Sequence, residues 1–163
     1  MIYVFYVFIG ILIAIGAVFF VGYTFDKERR HKKEILIEAP VQAVWDVVTK
    51  FDKQADWRKD VSEVVFLSDE KWIEIPYKGR DFTFEIVEKE LLKHWILDIY
   101  IRDKKIGYWI VEFTDVQKTT KVVFTEVLIT RNPFMRVISR LFFNMDKRMI
   151  IYADSLVNAL KKL

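Results

Sequence analysis

The sequence predicts an α+β domain with an antiparallel sheet, carried behind one membrane-crossing helix. Three observations predict it. Residues 2–25 carry no charged side chain, and apart from Thr24 all of them are apolar, aromatic or small. From Val61 to Ile129, short runs with apolar residues at alternate positions follow one another with turn residues between them, the pattern of a strand meander. Beyond Asn132 the apolar spacing changes to three or four, which predicts a closing helix.

At about 1.5 Å per residue the apolar segment reaches roughly 36 Å, enough for a hydrocarbon core of about 30 Å. Tyr3 and Tyr6 stand near one end and Tyr23 near the other, where aromatic belts form. A cleaved signal sequence is the competing reading, but it wants a basic start and an apolar stretch of only about 7 to 15 residues. Residues 1–25 are therefore expected to be a transmembrane helix and 26–33 a basic juxtamembrane segment. Lys27, Arg29, Arg30, Lys32 and Lys33 stand there against Asp26 and Glu28. The positive-inside rule puts this flank, and the domain after it, in the cytoplasm at the cell membrane. Outside the segment 21 basic residues balance 21 acidic ones, so the net charge of +3 lies wholly within it. The basic balance thus points to membrane lipids as partners rather than to nucleic acid.

With no cysteine and two histidines, His31 and His94, disulfides and thiolate metal sites are excluded and no metal site or cofactor is expected. Residues 34–163 have the size of one domain.

The elements follow in order. Ile35, Leu36 and Ile37 form a first strand, ended by Ala39-Pro40, and Pro40 suits a first helical turn. Val41, Val44, Trp45, Val47 and Val48 have helical spacing, and a second short helix follows through Asp52 to Trp57. Two strands join around Ser68-Asp69-Glu70, and Pro76 and Gly79 mark the next turn. Phe82, Phe84 and Ile86 alternate with Thr83 and Glu85; Trp95, Leu97, Ile99 and Ile101 repeat that pattern. Strands around Trp109 to Phe113 and Val122 to Ile129 complete an antiparallel sheet. Asn132 and Pro133 are start signals for one long amphipathic helix to the chain end.

Three local patterns carry a resemblance. Ile37-Glu38-Ala39-Pro40 leads into Val44-Trp45-Asp46-Val47; Phe51-Asp52 leads to Trp57 and Val61; and Asn132-Pro133-Phe134 opens the closing helix. Together with the element order they resemble the START-like superfamily, also called SRPBCC or the polyketide cyclase/dehydrase and lipid transport proteins. The resemblance implies a helix-grip fold, a curved sheet around a long C-terminal helix with a cavity between them. It also implies an apolar small-molecule ligand, lipids among them. Candidate lining residues are Trp72, Phe84, Trp95, Trp109, Phe124, Met145 and Met149; ordinary core packing is the alternative reading for such residues.

Catalytic signatures are lacking, and no catalytic residue is assigned. Glu74, Glu85, Glu112 and Glu126 lie in strands, where the expected place for a carboxylate is the wet face of the sheet; a buried one could act as acid or base. A cyclase-like enzyme using such a carboxylate or Tyr108 is the second reading. Arg136, Arg140 and Lys147 share one side of the closing helix and are further candidates for contact with an anionic leaflet. Gly10, Ala14 and Ala17 share a face of the span, which would allow a homo-oligomer or a docking partner there, the third reading.

Overall fold

The computed structural model describes residues 2–162. Helix α1 covers Ile2–Thr24, and strand β1 covers Glu28–Ile37. Two short helices follow, α2 (Val41–Thr49) and α3 (Gln54–Trp57), with a 3-10 turn at Phe51–Lys53 between them. The meander is β2 (Val61–Ser68), β3 (Lys71–Pro76), β4 (Phe82–Glu90), β5 (His94–Ile101), β6 (Lys104–Val116) and β7 (Thr119–Ile129). Helices α4 (Pro133–Phe142) and α5 (Met145–Leu160) end the chain.

The strands form one seven-stranded sheet in the order β1-β7-β6-β5-β4-β3-β2. The consecutive pairs from β2 to β7 are antiparallel, as expected of a meander with short turns. Register explains which side chains meet inside. Trp72 faces Phe84, Leu97 faces Trp109, and Trp109 faces Glu126. Val44, Trp45 and Val48 on α2 join Trp72, Trp95, Val111, Phe124, Met149 and Leu156 in one buried core. That places the concave face of the sheet, α2 and α5 around a common interior.

Two expectations need correction. Strand β1 begins at Glu28 rather than near Ile35, so Arg29, Arg30, Lys32 and Lys33 of the basic segment lie in a strand with alternating exposure. The closing helix is two helices, broken at Phe143, whose backbone is extended (φ −109°, ψ 100°). A start signal for α5 follows at once: Asn144, a strong N-cap residue type, stands before Met145, with Asp146 in the first turn. The apolar spacing runs through this break almost in phase, which is why periodicity alone merges the two helices.

The chain divides into two compact units, residues 1–29 with 129–144, and residues 30–128 with 145–163. The first holds α1 and α4. By length and composition α1 is able to cross a membrane, and Gly22 is its one buried residue among those described. The second unit holds the sheet from Arg30 onward, α2, α3 and α5.

Candidate functional site

Within the larger unit, the space between sheet and α5 is an aromatic chamber with charged walls. Its floor comes from strands whose inward positions are large rings. Phe51 stacks on Trp72 at 4.0 Å between centroids and meets Trp95 edge-on at 5.6 Å. Trp72 in turn stacks on Phe84 at 5.8 Å, and Trp109 meets Tyr152 of α5 at 5.6 Å. These rings leave a cavity of about 50 Å³.

One wall is polar and centres on Arg58, the residue just past the end of α3. Its guanidinium donates to Glu74 Oε2 at 2.8 Å, to both oxygens of Asp60 at 2.8 and 3.2 Å, and to Gln54 Oε1 at 3.2 Å. Gln54 is fixed in turn by donating to the Val48 carbonyl at 3.0 Å, and Trp72 Nε1 reaches Glu74 Oε1 at 3.4 Å. The Tyr152 ring lies 5.3 Å from the guanidinium. Glu126, opposite Trp109 in the register, is also turned inward, with Arg148 Nη1 at 3.3 Å from its Oε1. Arg148 and Asp60 are more open to solvent than Arg58, Glu74 and Glu126, so the chamber opens past the first two.

Burial draws the Arg58 pKa down, but the attraction of Glu74 and the bonds to Asp60 outweigh it and hold the group above its ordinary value. For Asp60, burial favours the neutral acid, yet Arg58 wins and keeps the carboxyl below its ordinary range. Burial pushes the Tyr152 phenol well above its usual value, so at neutral pH it is an O–H donor.

Two donors lining this cavity lack a well-formed hydrogen bond. Trp95 Nε1 is buried without a hydrogen-bond partner among the described residues, and the Tyr152 hydroxyl, beside the Gln54 side chain, is buried without a hydrogen bond of good geometry. Such groups cost free energy in a dry interior, and a polar site is where they can be satisfied.

Of the sequence candidates, Trp72, Phe84, Trp95 and Trp109 line the cavity. Phe124, Met145 and Met149 are fully buried but are not part of its lining. Glu74 and Glu126 are buried and face inward, against the expectation of a wet face, while Glu85 pairs with Lys71 and Glu112 is exposed. Tyr108 is not in the cavity lining: its hydroxyl accepts from Arg30 Nη2 at 3.3 Å, and Lys105 lies over its ring. Sequence reasoning did not single out Phe51, Gln54, Arg58, Asp60, Arg148 and Tyr152. For Tyr152 a signal existed, since it sits on the apolar stripe of α5 as its one phenol.

Among the basic candidates, Lys27, Arg30, Lys32 and Lys147 are exposed, and Lys33 pairs with Asp146 at 3.5 Å. Arg29 and Arg140 are half-buried. Arg136 departs from expectation: it is 4% exposed, and its guanidinium is spent on backbone carbonyls. The described residues hold no cluster of three or more potential metal ligands.

No family model matches the sequence, and no curated protein matches it as a relative. Solved structures do match in shape. A START superfamily protein from Mycobacterium smegmatis superposes with a TM-score of 0.64 at 8% identity, covering 82% of this chain and 97% of that one. The Zhui aromatase/cyclase from Streptomyces sp. R1128 gives 0.67 at 10% identity, covering 83% and 94%. A norcoclaurine synthase from Thalictrum flavum gives 0.67 at 7% identity, covering 83% and 95%. At such identities the likeness is one of fold: the domain has the START-like helix-grip architecture, with the curved antiparallel sheet and C-terminal helix that the sequence predicts.

Proposed function

We propose that this chain, START-like in fold, is a membrane-tethered domain that binds a small apolar molecule bearing one neutral oxygen. The observation that carries the reading is a pair of donors without a well-formed hydrogen bond, Trp95 N–H and, beside Gln54, Tyr152 O–H, on residues lining one aromatic cavity. Two guanidinium groups, Arg58 and Arg148, face three carboxylates, Asp60, Glu74 and Glu126, around the same space. Both guanidinium groups are already engaged with carboxylates, Arg58 with Asp60 and Glu74 and Arg148 with Glu126, so a ligand carboxylate would have to compete with them, whereas a carbonyl or hydroxyl oxygen would accept from the two donors without that cost.

Size narrows the class further. A cavity of about 50 Å³ is well under the roughly 150 Å³ that admits benzene in an engineered core. An acyl chain does not fit it. A single-ring molecule enters only if Phe51 or a neighbouring ring swings aside, so a lipid hydrocarbon tail gives way to a compact ring alcohol or ketone as the favoured ligand.

Helix α1 supplies the tether in this reading, and the basic residues that follow it support a cytoplasmic side for the domain by the positive-inside rule.

Cyclohexanol tests the binding site. The full chain in detergent should gain thermal stability saturably with cyclohexanol, less so with the oxygen-free cyclohexane. Phe51→Ala, by widening the cavity, should strengthen the effect. Tyr152→Phe should weaken it severalfold while leaving the ligand-free protein as stable or up to about 1 kcal/mol more stable, because a buried hydroxyl without a well-formed hydrogen bond is removed. Equal responses to the alcohol and the hydrocarbon would contradict the assignment.

A further inference from the structure

Helix α4 is inside-out for a helix in water. At about 100° per residue, Ser139, Arg136 and Arg140 fall on one side, and Phe134, Met135, Val137, Ile138, Leu141 and Phe142 sweep the other. The polar side is the one turned into the protein. Arg136 is buried and donates to Gly22 O at 3.2 Å, Phe25 O at 2.9 Å, Thr130 O at 2.9 Å and Arg131 O at 2.8 Å. Two of those carbonyls belong to the end of α1 and its exit. Arg29, just beyond that exit, returns the contact by donating to Ser139 O and Phe143 O, both at 3.0 Å, at the end of α4. Arg140 lies over the Phe25 ring at 4.2 Å.

Meanwhile most of the apolar side is exposed, with Val137 and Ile138 half-buried. Leu141 is 70% and Phe142 79% exposed, and Phe134 and Met135 are exposed beside them. In water this arrangement buries the wrong face. In the boundary between headgroups and acyl chains it is the stable one, because the apolar side finds hydrocarbon and the helix-end carbonyls, which lack water there, find arginine.

The backbone fixes how close α4 is to the span. Gly22 has no room for a side chain: a Cβ there would stand 2.0 Å from the Pro133 carbonyl oxygen. The first turn of α4 therefore touches the last turn of α1, at the level where a crossing helix leaves the hydrocarbon.

We propose that α4 is an interfacial membrane helix, clamped by its polar side to the exit of the span and inserted by its apolar side among the lipids. This rests on the reading of α1 as a span. It also reverses the expectation that the basic side of this helix contacts the leaflet.

Because the chain has no cysteine, single replacements can be labelled cleanly. Phe142→Cys and, as a second site, Leu141→Cys would carry an environment-sensitive nitrobenzoxadiazole label, with Ile13→Cys in α1 and Lys118→Cys in the β6–β7 turn as references. The full-length protein is reconstituted in mixed phosphatidylcholine and phosphatidylglycerol vesicles. The expected result is blue-shifted emission at positions 142 and 141 relative to 118, quenched more by nitroxide near the headgroup than by nitroxide deep in the chains, with the reverse preference at 13. If 13 is lipid-quenched but 142 and 141 emit as in water, the span stands and the proposal falls. Blue-shifted emission at 142 and 141 without lipid quenching would mean a protein surface, such as a second copy, covers the face, and would also overturn it. An aqueous signal at 13 would remove the span and this inference together.

Discussion

Arg58 organises the polar wall of the site. Its side chain is mostly buried against Glu74, also buried, so deleting it leaves a carboxylate without its cation in a poorly solvated place. Arg58→Ala should therefore cost about 3–5 kcal/mol, whereas replacing both Arg58 and Glu74 by apolar residues of similar size should cost much less or stabilise. Chemical denaturation of the full chain in detergent measures both; equal losses would show that the pair is not the unit. Asp60 adds a pH dependence. Its folded pKa lies below the unfolded value of about 3.9, so its contribution is complete above that value and is lost as pH falls through the folded one. Asp60→Asn should flatten the acid limb of the stability curve between pH 5 and the acid transition; an unchanged limb would count against the Arg58 contact. At this scale the sequence was half legible. Trp72, Phe84, Trp95 and Trp109 follow from strand alternation, but Arg58 stands just past a four-residue helix with no period to read. Glu126 was misread although it is in phase with Val122 and Phe124, because a carboxylate is normally assigned to water; Arg148, brought from α5, supplies what makes its burial tolerable.

The elements were read more completely than the residues. Most strands of the meander announce themselves by alternation, whereas the place of β1 beside β7 is a long-range pairing that no local pattern carries. The two elements misjudged are those whose boundaries depend on partners far along the chain. β1 extends back through charged residues to Glu28, where the apolar pattern alone marks only Ile35 to Ile37. The break at Phe143 and Asn144 lets α4 and α5 serve different compact units, a reason invisible in the local pattern. The contact of α4 with α1 gives a sharp prediction. Gly22→Ala puts a methyl group against the Pro133 carbonyl and should loosen the pair, costing about 1–3 kcal/mol. Limited trypsin digestion of the reconstituted protein should then cleave faster after Arg131 and Arg140, while Gly16→Ala, where a Cβ meets nothing within 4 Å, should leave the pattern unchanged.

At the scale of the whole molecule, the chain combines an apolar helix able to span a bilayer with a START-like domain whose interior is almost filled by its own aromatic side chains. Under the proposed membrane tether, the domain would be suited to local capture or sensing of a ligand rather than long-distance transfer. Lys118→Cys in the β6–β7 turn should react with a membrane-impermeant maleimide only after cells are opened, if the domain is cytoplasmic; labelling of intact cells would reverse the orientation. Ligand size does not follow from composition, because it depends on the space that side chains from separate elements leave between them. Native mass spectrometry of the full-length protein ejected from lipid nanodiscs addresses the central claim most directly. The account predicts a bound molecule the size of a single-ring alcohol or ketone, retained by the parent protein, exchanged by added cyclohexanol and lost in Tyr152→Phe. A protein that shows only its own mass and takes up no cyclohexanol, or one that retains a whole lipid regardless of Tyr152, would contradict it.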